Sequence, residues 1–432
     1  MTEAMSNDAI KALVRANAEP VIAELRALVR VAEEDSEAVQ TYVGRQLAAA
    51  GAVVDDVRYR PRDVVVDYEL GAPSPIEGDA RYVVGTFGSG SDGVLFWAHS
   101  DSEPVDPEGW TRPLFDAVVE SGRMYGWGIG DDLVGVAMML AVARLQREHA
   151  FLGSGSVSFA SVPSKRRAQA IIHALDRGYG GAGTVYLHPA ESGVGLGEIK
   201  AIASGLLRFR VRVFGRPPET LEPGHTVFLH TGVDPVPIAA DLIQAFAQWG
   251  EERAARVHYP PVHDAIGRST NVHVSHIQAG RPDRLSKVPP FVDLSFSCTF
   301  PPTERLASVQ AEVSSVIDEV GTGHAWLRER PCEVTWLVGI QGAETPLASA
   351  VYQSTFRAIV EATGREPHVN TLHAASDIRN PVLHKGIPTV GIGPLVGGLT
   401  VSGGVDEWAD VDDYVRGVEV VARVAADFAR ER

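Results

Sequence analysis

The sequence predicts an α/β fold, a central mixed sheet flanked by helices, interrupted by a smaller α+β unit. Three observations carry this. Val94-Leu-Phe-Trp-Ala98 is an unbroken apolar run ending in His99-Ser100-Asp101, as expected of a strand buried on both faces. Up to about residue 204, strand-like runs alternate with helical spacing. Beyond it, Leu207, Phe209, Val211 and Val213 alternate with Arg208, Arg210 and Arg212, the pattern of a half-exposed antiparallel strand. The expected division is residues 1–204 and 332–432 for the larger unit and 205–331 for the insertion. A length of 432 residues favours two such units over one core.

In chain order, residues 8–31 carry helical spacing, with Pro20 expected to break or kink it. A helix at about 36–51 ends at Gly51. Strand-like runs follow at 52–60, 63–70 and 81–87, then the His99 strand. Gly126-Trp-Gly-Ile-Gly130-Asp131-Asp132 opens a helix to about 149. A strand at 156–162 leads into Pro163-Ser164-Lys165-Arg166-Arg167 and a helix to about 177. A strand at 183–187 runs into His188-Pro189-Ala190-Glu191. The insertion holds a helix at 236–250, strands near 270–279 and 291–300, and a helix at 303–320. A helix at 346–364, a buried strand within 387–394 and a helix from about 411 close the chain.

Charge and composition narrow the partners. A net charge of −16, from 39 basic and 55 acidic residues, argues against nucleic acid or an anionic membrane as the main partner. No apolar run reaches the roughly 18 residues of a membrane span. Met1–Asp8 lacks the basic and apolar regions of a signal peptide. Only Cys298 and Cys332 are present, so no disulfide framework is expected. A cytoplasmic protein acting on a small molecule is the simplest expectation.

Candidate site residues fall at strand ends, where open α/β sheets place their ligand crevices. His99 offers a ring nitrogen to a metal, and Asp101 can accept its other N–H and fix the tautomer. Asp131 reads either as a ligand aimed back at His99 or as a capping aspartate after a glycine-rich turn. Lys165 and Arg166 put positive charge at a helix start, locally unfavourable and so a possible functional choice. His188 and Glu191 repeat the histidine–carboxylate pattern at a second strand end. Arg268 and Arg379 are candidates for anionic substrate groups. His273 and His276 have opposite parity on one strand, so at most one is expected to face a given pocket.

These motifs resemble the two-zinc amidohydrolases and exopeptidases that include acetylornithine deacetylase, succinyl-diaminopimelate desuccinylase, aminoacylase and glutamate carboxypeptidase. The resemblance spans about residues 10–430. It rests on His99-Ser-Asp101, on Tyr125-Gly-Trp-Gly-Ile-Gly-Asp131-Asp132, and on Gly215-Arg-Pro-Pro with His225 and Gly232-Val-Asp-Pro. It continues through Lys287-Val-Pro289, Ser376-Asp377, Gly386–Pro394 and Asp406-Glu407-Trp408. It implies a catalytic domain, a lid domain that usually dimerises, and two zincs about 3.5–4 Å apart bridged by an aspartate. Carried over residue by residue, His99 and Asp131 are present, and His188 stands where a carboxylate belongs. Imidazole can still bind zinc. The family's Glu-Glu pair, one metal ligand and one general base, aligns with Lys165-Arg166. Its late histidine aligns with Gly403, its loop lysine with Leu133, and its lid arginine near Thr299.

A guanidinium always carries its charge, so a dication beside Arg166 is disfavoured. The resemblance therefore implies one zinc at most, on His99, Asp131 and His188, or none. Three readings follow. In the first, an enzyme acts on a small amide-, ureido- or amino-acid-like substrate without two-metal hydrolysis, using His99, Asp131, Lys165, Arg166 and His188. There Lys165 could serve as base or imine-forming amine, and lid His225 would stabilise developing negative charge. In the second, a one-zinc amide hydrolase uses Glu191, Asp101 or His225 as base. In the third, the chain binds a ligand without turnover. Arg268, Asn271, Arg379 and Asp101 are the expected substrate contacts, and a homodimer through the lid is the expected assembly.

Overall fold

The computed structural model describes residues 5–71, 78–101, 107–164, 169–189 and 192–430. Its central sheet has eight strands. Their order is Val53–Tyr59, Ala80–Phe87, Gly155–Val162, Ser89–His99, Gly183–Leu187, Thr389–Ile392, Glu198–Lys200 and His368–Asn370. The four strands from Gly155–Val162 to Thr389–Ile392 run parallel. Their C-terminal ends therefore meet at one edge, which brings His99, Ser164 and His188 together.

Alternation along the His99 strand feeds two cores. Val94, Phe96 and Ala98 pack with helices Ala18–Val31, Val134–His149 and Val411–Phe428 on one face. Leu95 and Trp97 pack with helix Gln169–Asp176 and Ile378 on the other. Gly135 makes one contact of this kind possible. A Cβ there would meet Leu187 O at 1.9 Å, so only glycine lets the helix lie against the end of the His188 strand.

The first helical segment divides upstream of its proline. Helix Asn7–Ala16 ends at Asn17, and Pro20 falls in the first turn of Ala18–Val31. There its missing N–H costs no intrahelical bond. Asp131 and Asp132 are not helix caps. They have non-helical φ/ψ in a tight turn, Ile129–Leu133, and the regular helix starts at Val134.

The second sheet has five antiparallel strands, in the order Asn271–Ala279, Phe291–Phe300, Gly205–Phe214, Glu333–Ile340 and Glu69–Gly71. Leu207, Phe209, Val211 and Val213 turn to helices Pro235–Arg256 and Leu306–Gly323. This sheet outgrows the expected 205–331 segment at both ends. Glu333–Ile340 pairs directly with Gly205–Phe214, and its Trp336 ring lies 5.7 Å from Phe209. Of the strand-like run at 63–70, only Glu69–Gly71 forms a strand, and it joins this sheet rather than the central one. A register shift between Val274 and His276 pairs His273 with Ser297 and His276 with Ser295. Both histidines thus share one face, against the parity expectation, because a bulge resets the two-residue period. Among the described residues, no helix is long and apolar enough to cross a membrane.

Candidate active site

At the meeting edge of the parallel strands, two histidines converge on one carboxylate oxygen. His99 Nε2 and His188 Nε2 each lie 3.1 Å from Asp131 Oδ1. The two rings are 5.6 Å apart, and all three groups are buried. One ligand atom from each of His99, Asp131 and His188 lies within 4.8 Å of the others. Ligands on a tetrahedral zinc at 2.0–2.1 Å stand about 3.3 Å apart, so the spacing suits one ion.

The two histidines are held from behind by different chemistry. His99 Nδ1 is 2.9 Å from Asp101 Oδ1, and the other Asp101 oxygen accepts from Ser164 Oγ at 2.8 Å. That holds a hydrogen at Nδ1 and turns Nε2 to the site. Although it is close to Asp131, His99 Nε2 makes no aligned hydrogen bond and is buried. A buried nitrogen left in this way suits a ligand. His188 Nε2, by contrast, forms an aligned hydrogen bond to Asp131 Oδ1. Its Nδ1 lies 2.9 Å from Lys200 Nζ and 3.1 Å from Pro189 O.

The charges in this buried site act on one another at short range. Burial opposes a charged His99, but Asp101, Asp131 and Asp132 outweigh it and lift the imidazole well above its usual range. Burial likewise opposes the Asp131 carboxylate, yet His188 and His99 hold it well below the ordinary value. Asp132 is pushed well above the carboxylate range by burial, with Asp131 adding to the effect. Glu407 braces the Asp131 loop. Its Oε1 accepts from the N–H groups of Gly130 and Asp131 at 2.7 and 3.1 Å, and its Oε2 from Thr400 N and Oγ1 at 3.2 and 2.8 Å.

The other expected residues fall elsewhere. Lys165, Arg166 and Glu191 lie outside the described residues. His225 is engaged within the second unit, where Nδ1 accepts from Val288 N–H at 3.1 Å and Nε2 is 3.3 Å from Lys287 Nζ. Arg268 is on the surface, paired with Glu251 at 2.7 Å. Asn271 is exposed at the start of its strand, with its N–H on Thr299 Oγ1 at 3.3 Å. Arg379 is corrected from a substrate contact to a buried tie. Its guanidinium is bound by Asp377 at 2.5 Å and by Glu69, which ties helix Arg379–Lys385 to the edge strand Glu69–Gly71 of the second sheet. Gly403, a left-handed turn residue, offers no side chain to a metal.

Sequence reasoning missed Lys200 and left Glu407 without a role. The signal for Lys200 was its setting, a lone lysine among Ile199, Ala201, Ile202 and Ala203.

A family model for peptidase family M20/M25/M40 matches residues 95–427. The chain belongs to this family. M20 members are hydrolases of peptide and amide C–N bonds. Three solved M20-like structures show how far the fold is shared. An aminopeptidase, PepT from Bacillus cereus, superposes with a TM-score of 0.70 at 18% identity, covering 96% of this chain and 99% of its own. Human carnosine dipeptidase 1 gives 0.64 at 14% identity, covering 98% and 100%. YXEP of Bacillus subtilis, described as a dinuclear metal-binding peptidase of the M20 family, gives 0.63 at 14% identity, covering 96% and 98%. At such identities the likeness shows the fold, the large mixed sheet with its inserted second unit. Against the two-metal donor set of the family, the described residues of this M20 chain offer one ligand group.

Proposed function

We propose that this M20 protein cleaves, or rearranges in a derived reaction, a C–N bond of a small amide-, ureido- or amino-acid-like substrate, using a centre with no more than one metal. The observation that carries this is the convergence of both imidazoles on Asp131 Oδ1. A carboxylate bridging two metals needs separate ligand sets at its two oxygens, and here the described donors gather at one.

The chain's own groups divide the work. His99, fixed by Asp101, turns Nε2 into the site, where it would give its lone pair to a metal in place of a proton. Asp131, kept ionised by the two imidazoles, supplies negative charge. His188 donates a hydrogen bond into the same space. A metal held by His99, Asp131 and His188 would polarise the scissile carbonyl and stabilise its developing charge. Lys165, Arg166 and Glu191 complete the proposal from their sequence positions as candidate base and charge partners. The protein is further proposed to be cytoplasmic and to dimerise through the lid, where Asn271–Ala279 forms an outer strand of the second sheet.

The test is metal content by mass spectrometry together with a turnover panel of dipeptides, N-acyl amino acids and ureido acids, with and without a chelator. At most one zinc per chain and turnover of at least one class are expected. Two zincs per chain would overturn the single-centre reading. Binding without turnover across the panel would overturn the catalytic one. The single-zinc hydrolase reading is favoured by the buried His99 Nε2, which lacks an aligned hydrogen bond, and requires activity to vanish with the chelator.

A further inference from the structure

We propose that Lys200 is a positioning residue that holds His188 as a hydrogen-bond donor toward Asp131, and thereby competes with a metal for that imidazole. The inference rests on the single-centre reading above and concerns a residue outside its donor set.

Lys200 lies in the short strand Glu198–Lys200 and is 1% exposed. It reaches the site through a gap in the sheet. Gly391 pairs with it on the adjacent strand, and a Cβ at 391 would stand 2.8 Å from Lys200 Cε and 3.2 Å from Lys200 Cβ. A glycine here therefore leaves the corridor along which the lysine stem runs. At the end of that corridor Nζ meets two acceptors, His188 Nδ1 at 2.9 Å and Pro189 O at 2.9 Å.

As an ammonium, Lys200 has donors and no lone pair, so in that form His188 Nδ1 accepts from it. A neutral imidazole that accepts at Nδ1 carries its hydrogen at Nε2. That hydrogen points to Asp131 Oδ1, where an aligned hydrogen bond of 3.1 Å is found. A metal would need the reverse: a lone pair at Nε2 and a hydrogen at Nδ1. Among the described residues, the carbonyl near His188 Nδ1 is Pro189 O, at 3.1 Å, and Lys200 already donates to it. With Lys200 in place, then, the described hydrogen bonds at the two nitrogens of His188 fit the donor tautomer. His99 is arranged the opposite way, with an acceptor behind its Nδ1.

The experiment measures zinc affinity by competition with a chromogenic chelator in the wild-type protein, Lys200→Met and Lys200→Gln. It also records the long-range nitrogen–proton spectrum of the metal-free wild type, with His188 assigned by its loss in His188→Gln. The wild type should show His188 protonated at Nε2, and Lys200→Met should bind zinc about 10- to 100-fold more tightly. Unchanged or weaker zinc binding in a folded Lys200→Met overturns the proposal, as does a wild-type His188 protonated at Nδ1. If Lys200→Met does not fold, Lys200→Gln and the wild-type spectrum decide. Two zincs per wild-type chain would overturn the single-centre reading instead, and the metal-free spectrum of His188 still judges Lys200.

Discussion

His99 and His188 meet the same oxygen at the same 3.1 Å, yet they are different chemical objects. Behind His99 stands a carboxylate, and its front nitrogen is left without an aligned partner. Behind His188 stands an amine, and its front nitrogen is hydrogen-bonded. Side-chain identity and distance to Asp131 do not separate the two. The group on the far side of each ring does, because it decides which nitrogen carries the hydrogen.

Four changes would break or sharpen that comparison. Asp131→Asn removes the charge both rings share, and turnover should fall by about 10³-fold while the fold persists by circular dichroism. A loss below tenfold would show that neither ring works through Asp131. Asp101→Asn acts on the His99 side alone. Turnover and zinc affinity should both drop by about 10- to 100-fold, and the nitrogen spectrum of His188 should stay as it was. If His188 changes equally, the two sides are not independent.

Glu407→Gln tests the loop that carries the shared oxygen. An amide NH₂ would face one of the N–H or O–H donors now bound by the carboxylate, at a cost of about 1–3 kcal/mol in thermal or denaturant unfolding. Burial pushes the Glu407 carboxyl from 4.5 up to about 7, against the bonds from Thr400 and Gly130. The folded chain thus holds this proton to higher pH than the unfolded chain. Its contribution is fully present below pH 4.5 and is lost as pH rises through about 7. The window is worth about 3 kcal/mol, and Glu407→Gln should flatten that stretch of the stability–pH curve. An unchanged slope would place the titration elsewhere. The smallest effect belongs to Arg268→Ala. The arginine is spent on Glu251 at the surface, so kcat/KM should change by less than about threefold. A tenfold loss would restore it as a substrate contact.

The His99 strand was legible because five consecutive apolar residues admit few other readings. Asp131 and His188 followed from their places after a glycine-rich turn and a strand end. The apolar neighbours of Lys200 hint at burial, but its reach to the site was not legible, since a lysine in a short strand ordinarily reads as solvent-facing. Its burial depends on Gly391, nearly two hundred positions away. The pairing of Glu69–Gly71 with Glu333–Ile340 was hidden for the same reason: strand partners distant in sequence leave no periodic trace. Arg379 read as a substrate contact because nothing local announces Glu69 as its mate.

The strand Glu69–Gly71 also bears on how the chain is made. The second sheet takes its edge strand from the N-terminal part of the chain and its neighbour from Glu333–Ile340. During synthesis from the N-terminus, the early strand must wait until the late one has left the ribosome before that edge can close. Such long-range closure slows folding. Excising residues 205–331 as a free-standing unit would remove both strands and bare the edge of Gly205–Phe214, a surface prone to pairing with other chains.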